Sequence, residues 1–232
     1  LVTIADLHCR VDTPYLVDEL LREAIQGADV LLLGGDLTDT GLPAEAQALA
    51  RQLRRIPIPI IAVLGNHDHQ SGCPEEISKI FTDSGVHMLD GQILELDGVA
   101  FVGTKGFCGG FDENLVEPFG EQALKTFIRS SMDEAVRLGQ LLARSKATRK
   151  VTLLHYAPIR GTLRGEPAEI FPFLGTSRLA EAVDRYGSDV IFHGHSHNGY
   201  PDGYTARKIP VFNVCRFVLQ RFTGKPYKTY EI

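Results

Sequence analysis

Short apolar runs alternate with longer amphipathic segments along most of this chain, and that alternation narrows the fold to an α/β class with at least part of its sheet parallel. Strand-like runs lie at residues 1–5, 30–33, 60–64, 99–102, 151–154 and 190–192. Between them, the helical period predicts helices over 14–26, 43–55, 74–84, 122–144 and 177–186. The first three begin at Pro14, Pro43 and Pro74, and proline is tolerated in a first turn because its missing N–H would be unpaired there anyway. Beyond Ile209 no long helical period remains, so the runs at 211–214, 217–222 and 228–232 read as a terminal antiparallel meander.

With 232 residues, 44% hydrophobic and 23% charged, the chain can bury a substantial core, and a single domain over 1–232 is expected. A net charge of -5 argues against a nucleic acid partner or an anionic lipid surface, which need a concentrated basic face. The basic clusters Arg51/Arg54/Arg55 and Arg144/Lys146/Arg149/Lys150 sit at helix ends, where cations suit the dipole. Cys9, Cys73, Cys108 and Cys215 are far apart with no C-x-x-C, a pattern of reduced thiols that points to a cytoplasmic protein. No run approaches the eighteen or so apolar residues of a membrane span. The chain opens at Leu1, without methionine and already inside a strand-like run, which leaves room for residues or a cleaved leader before it.

Nearly every strand-like run ends in an abrupt polar cluster. These are Asp6 and His8; Asp36 and Asp39; Asn66, His67 and Asp68; His155; and His195 with His197. In open α/β sheets ligands bind beyond the carboxyl ends of strands, so the clusters imply one shared site. Side chains at i and i+2 of extended chain point the same way, so Asp6/His8 and His195/His197 are each expected to aim two donors at one point. His193, where the apolar run ends, reads as core or as support for its neighbours, and Asp68 and His69 as loop or supporting groups.

In this order the motifs Asp6-Leu7-His8, Gly35-Asp36-Leu37-Thr38-Asp39, Gly65-Asn66-His67-Asp68, His155 and Gly194-His195-Ser196-His197 resemble the calcineurin-like metallophosphoesterase superfamily. The resemblance implies a four-layer αββα sandwich, two mixed β-sheets face to face flanked by helices, with a binuclear metal centre on one edge. It implies that Asp6, His8, Asp36 and His197 hold one metal, and that Asp36, Asn66, His155 and His195 hold the other, with Asp36 as the bridge. Mixed nitrogen and oxygen ligands without cysteine suit two divalent ions of Mn, Fe or Zn better than Ca or a closed structural zinc site. Two such ions, two carboxylates and a bridging hydroxide leave the pocket with about one positive charge, which attracts an anionic ester.

The expected function is therefore hydrolysis of phosphodiester or phosphomonoester bonds by in-line attack of a metal-bound hydroxide. A small-molecule or nucleotide phosphoester is the expected substrate. By the resemblance His67 contacts the phosphate and protonates the leaving oxygen, while Asp39 orients His67 and stabilises its charged form. Relatives with Arg in place of this histidine act on nucleotide-sugar pyrophosphates, so His67 leans toward diesters or monoesters. Two irregular loops, 103–120 and 160–175, are expected to wall the site, with Arg160, Arg164, Phe107 and Phe173 as candidate substrate contacts. An amidohydrolase places its H-x-H pair on the first strand rather than at 195–197. A scaffold that keeps the fold but has lost catalysis predicts eroded ligands, and none is eroded here.

Overall fold

A computed structural model describes residues 1–232. Its first half runs β1 (Val2–Ile4), α1 (Leu16–Ile25), β2 (Leu31–Gly34), α2 (Pro43–Leu53), β3 (Ile60–Val63), α3 (Pro74–Asp83) and β4 (Val86–Met88). There follow β5 (Ile93–Leu96), β6 (Val99–Thr104), α4 (Gln122–Arg144), β7 (Arg149–Leu154), α5 (Phe171–Leu174), α6 (Ser177–Tyr186) and β8 (Val190–His193). The chain ends with β9 (Asp202–Tyr204), β10 (Pro210–Asn213), α7 (Arg216–Thr223) and β11 (Lys228–Thr229).

The strands form two mixed sheets, in the orders β11-β1-β2-β3-β4 and β5-β6-β7-β8-β10-β9. Within each, the central strands are parallel, and β11, β5 and β9 add antiparallel edges. Strand alternation sorts the apolar residues into layers. Leu31 and Leu33 of β2 pack with Leu21, Leu49 and Phe81 beneath α1–α3, whereas Leu32 faces Val151, Leu153 and Phe192 of the other sheet. On the far side, Val102, Leu154 and Ile191 meet Leu138 and Leu142 of α4 and Val183 of α6. The result is helix, sheet, sheet, helix: the expected four layers. Phe101 and Phe192, between the sheets, are 2% and 0% exposed. Burying a side chain of this size contributes roughly 1.5–3 kcal/mol.

Two local expectations are corrected. The C-terminal third is not an antiparallel meander: β10 runs parallel to β8, and Phe217 to Phe222 lie in helix α7. Val218 and Leu219 of that helix are buried, and Gly224, at φ 73°, supplies the left-handed residue that ends it. Helix α1 starts at Leu16 rather than Pro14, because the Thr13 hydroxyl and the Arg10 carbonyl first close a turn at 2.8 Å.

Candidate metal centre

Both sheets deliver polar side chains to one edge. Asp6 and His8 follow β1, Asp36 and Asp39 follow β2, and Asn66 and His67 follow β3; His155 follows β7, and His195 and His197 follow β8. The loops are tied by main-chain bonds. Asp6 N–H donates to the Gly35 carbonyl at 3.0 Å, His8 N–H to the Asp36 carbonyl at 2.9 Å, and Gly194 N–H to the His155 carbonyl at 3.1 Å. A main-chain N–H also joins the two sheets at the centre: that of His195 donates to the Asp6 carboxylate at 3.1 Å.

The pairs do not converge through extended alternation. β1 ends at Ile4 and β8 at His193, and Asp6, His8, Asp36 and His195 adopt φ of 60°, 46°, 49° and 71°. Left-handed backbone at a non-glycine residue costs of order 1–3 kcal/mol and persists only where the surroundings over-determine it. Here it rolls each chain back over the sheet edge. Gly35 permits the close approach: at φ 87°, any Cβ would sit 2.5 Å from the His155 ring.

The resulting geometry contains two donor groups that share Asp36, beside a third made of His8, Asp39 and His67. In the first, His197 Nε2 lies 3.1 Å from Asp6 Oδ1 and 3.5 Å from His8 Nε2, and His8 Nε2 lies 3.9 Å from Asp36 Oδ2. In the second, His155 Nε2 lies 3.3 Å from Asp36 Oδ1 and 2.9 Å from Asn66 Oδ1, with His195 alongside. Asp36 thus turns one oxygen to each group.

The donor chemistry fits cations. His155 Nδ1 donates to the Gly34 carbonyl at 2.9 Å, which leaves Nε2 as the ring nitrogen directed at the centre. His8 Nδ1 likewise faces Asp39 Oδ1 at 3.5 Å. Asp6 and Asp36 are 0% and 1% exposed, and no Lys or Arg pairs with either. Burial pushes the Asp36 carboxyl up, but the charge and hydrogen bond of His155 and the His67 N–H outweigh it and hold the group below the usual carboxylate range. His155 shows the reciprocal effect. Burial alone lowers its pKa, yet the negative charge of Asp36, and then of Asp6, raises it to about 9. Two buried carboxylates in this state demand a positive charge, which a divalent ion supplies better than one proton.

His67 is half-buried, with its ring edge-on to His8 at 4.5 Å between centroids. Its Nδ1 contacts Asp39, but through the main-chain carbonyl at 2.6 Å; the Asp39 carboxylate faces His8. Asp39 thus meets His67 through its main chain and not through its carboxylate. Asp68 is a buried tie, accepting from Leu37 N–H, Thr38 N–H, the Thr38 hydroxyl and Gly65 N–H at 2.6–3.2 Å. His193 is fully buried against Thr162 Oγ1 and the Gly194 carbonyl, and His69 is exposed.

Of the four candidate substrate contacts, Phe173 touches the donor groups, through its carbonyl, 3.4 Å from His195 Nε2. Phe107 stands one ring away, against Tyr156, whose own ring is 4.3 Å from that of His195. Arg160 lies over Phe171, and Arg164 over Tyr200 at 3.9 Å, so both are engaged in packing the 160–175 loop and not with the donor groups. Neither Tyr156 nor Phe217 stood out in the sequence. Phe217 packs 5.0 Å from His197, and its signal was hidden inside a run read as a strand.

A model of the calcineurin-like phosphoesterase family matches residues 1–199. A protein of Synechococcus sp. described as a probable cyclic nucleotide phosphodiesterase is 32% identical over 110 residues, 40% of this chain and 42% of that protein. Another of the same description, from Vesicomyosocius okutanii, is 25% identical over 171 residues, 73% of this chain and 62% of that protein. The matched stretch therefore spans less than two thirds of either relative. The crystal structure of the phosphopantetheinyl hydrolase of Mycobacterium tuberculosis has a TM-score of 0.69 over 99% of this chain and 94% of that one, at 14% identity. The crystal structure of a Thermus thermophilus protein gives 0.56 over 94% and 89%, also at 14% identity. These two likenesses are likenesses of fold. Motif order, the two donor groups and the family match lead to one conclusion: this chain belongs to the calcineurin-like phosphoesterase family.

Proposed function

We propose that this chain is a binuclear-metal-dependent hydrolase of phosphodiesters, small or nucleotide-borne. The observation that carries the reading is Asp36, with its two carboxylate oxygens turned to two separate donor groups. Asp6, His8, Asp36 and His197 would hold one divalent ion, and Asp36, Asn66, His155 and His195 the other, with Mn, Fe or Zn suited to the mixed nitrogen and oxygen donors. When bound, such ions lower the pKa of water and neutralise charge on a phosphoryl group.

The protein's own contribution is positioning and proton transfer. His67 is held from behind by the Asp39 carbonyl, leaving Nε2 to meet the leaving oxygen and give it a proton. No side chain is placed as a nucleophile. Burial pushes the Cys9, Cys108 and Cys215 thiols up, away from the reactive thiolate. The Ser196 hydroxyl is turned to Glu166. The names of the two relatives favour diesters over monoesters.

The test is a hydrolysis panel on protein reconstituted with Mn, comparing a bis-aryl diester, an aryl monoester and cyclic nucleotides. Metal-dependent turnover, fastest on a diester, is expected. Inactivity across the panel with two metals bound per chain would refute the reading in favour of a scaffold.

A further inference from the structure

Phe217 forms a wall of the metal edge that the motif residues do not supply. It is the second residue of α7, and its ring lies 5.0 Å from that of His197 and 6.2 Å from that of His8, yet it is 42% exposed. Its neighbours Val218 and Leu219 fill the core beneath the helix, so Phe217 is not needed there. The Arg216 guanidinium lies 4.6 Å from the same ring, and its Nε is buried without a hydrogen-bond partner. A cation held against a half-exposed aromatic ring, beside a phosphate-attracting centre, is a surface for a planar aromatic group. On the His195 side, the 59% exposed Phe173 sets its main-chain carbonyl 3.4 Å from His195 Nε2.

Resting on the phosphoesterase reading above, we infer that Phe217 and Arg216 form a subsite for an aromatic substituent on the substrate phosphorus, a nucleobase or an aryl ring. The phosphoryl group occupies the centre between His8, Asp36 and His155. One ester arm then extends over α7, where its ring stacks on Phe217 and Arg216 donates N–H groups to ring acceptors. An alkyl arm finds nothing there to stack on. The site therefore selects diesters that carry a ring on that arm.

Two substrates with the same leaving group isolate this effect: bis-p-nitrophenyl phosphate and methyl p-nitrophenyl phosphate. Wild-type protein should favour the first in kcat/KM. In Phe217→Ala that ratio should fall about tenfold, within the range of one stacking contact, and Phe217→Trp should restore it. Metal content, read by mass spectrometry, should stay at the wild-type value in both variants. An unchanged ratio in Phe217→Ala, or equal loss on both esters, overturns the subsite while leaving the phosphoesterase reading standing. Wild-type protein that binds two metals and hydrolyses neither ester overturns both.

Discussion

The carbonyl oxygen of Asp39 lies 2.6 Å from His67 Nδ1, while the carboxylate of the same residue faces His8 Nδ1 at 3.5 Å. One residue thus steadies two imidazoles with two different atoms, and only one of those atoms is removed by mutation. His67→Ala should lower kcat on esters with poor leaving groups by about a hundredfold or more, the worth of a positioned general acid. Asp39→Ala keeps the carbonyl, so its kcat should fall by less than about tenfold, with weakened metal binding on the His8 side as its main defect. Parallel kinetics and metal titrations separate the two effects. An Asp39→Ala loss as large as that of His67→Ala would show that the carboxylate, not the carbonyl, supports the acid.

Asp36 carries the largest expected effect of any single side chain. Its Oδ2 faces the His8 and His197 group and its Oδ1 faces His155, so Asp36→Asn removes an anionic donor from both. Metal content by mass spectrometry should fall from two ions per chain to less than one, with activity lost in parallel. Retention of both ions would mean that Asp36 is not the bridge.

Much of this was legible in the sequence, and for a physical reason. Runs such as 30–33 and 151–154 are apolar on both faces because both faces of each sheet are covered, and buried parallel strands read that way. The motif residues stood out because charged and imidazole groups interrupt those runs where a sheet ends. Handedness did not stand out. Nothing in a one-dimensional pattern marks Asp6, His8, Asp36 and His195 as left-handed, and the extended alternation inferred for Asp6/His8 and His195/His197 is not the geometry these pairs adopt. Helix α7 is hidden in the sequence because Phe217, Val218 and Leu219 form a continuous apolar run, which suits a strand as well as a short helix; Gly224 is the one local signal of its end. The three-residue strands β4 and β9 are too short for any periodicity to show.

Removing metal should cost stability. Asp6 and Asp36 are buried next to one another with histidines as their nearest partners, so cations that bind only the folded chain stabilise it by mass action. At a free-ion concentration of 100 times Kd, one site contributes about 2.7 kcal/mol. For a chain of this size that is roughly 5–11 °C in Tm. Calorimetry before and after chelation should show a drop of at least that amount, reversed by adding Mn back. A Tm indifferent to chelation would place the ions outside the folded framework.

Glu166 should matter although it touches no metal donor. It sits on the 160–175 loop, and its carboxylate accepts from the Asn198 N–H at 2.6 Å, from Asn198 Nδ2 at 3.2 Å and from the Ser196 hydroxyl at 3.3 Å. Those bonds clamp the turn that carries His195 and His197. Asn213 Nδ2 holds the same turn from below, at the Ser196 carbonyl. Groups that orient ligands in this way typically alter metal affinity by about 10–100-fold when removed. Glu166→Ala is therefore expected to weaken metal binding by about tenfold, while Glu166→Gln, which keeps an acceptor for the Asn198 N–H, should recover most of the loss. Direct metal titration of folded protein is the measurement, since a merely structural role would lower Tm in both variants without moving affinity. Equal affinity in all three proteins would release Glu166 from any part in positioning the histidines.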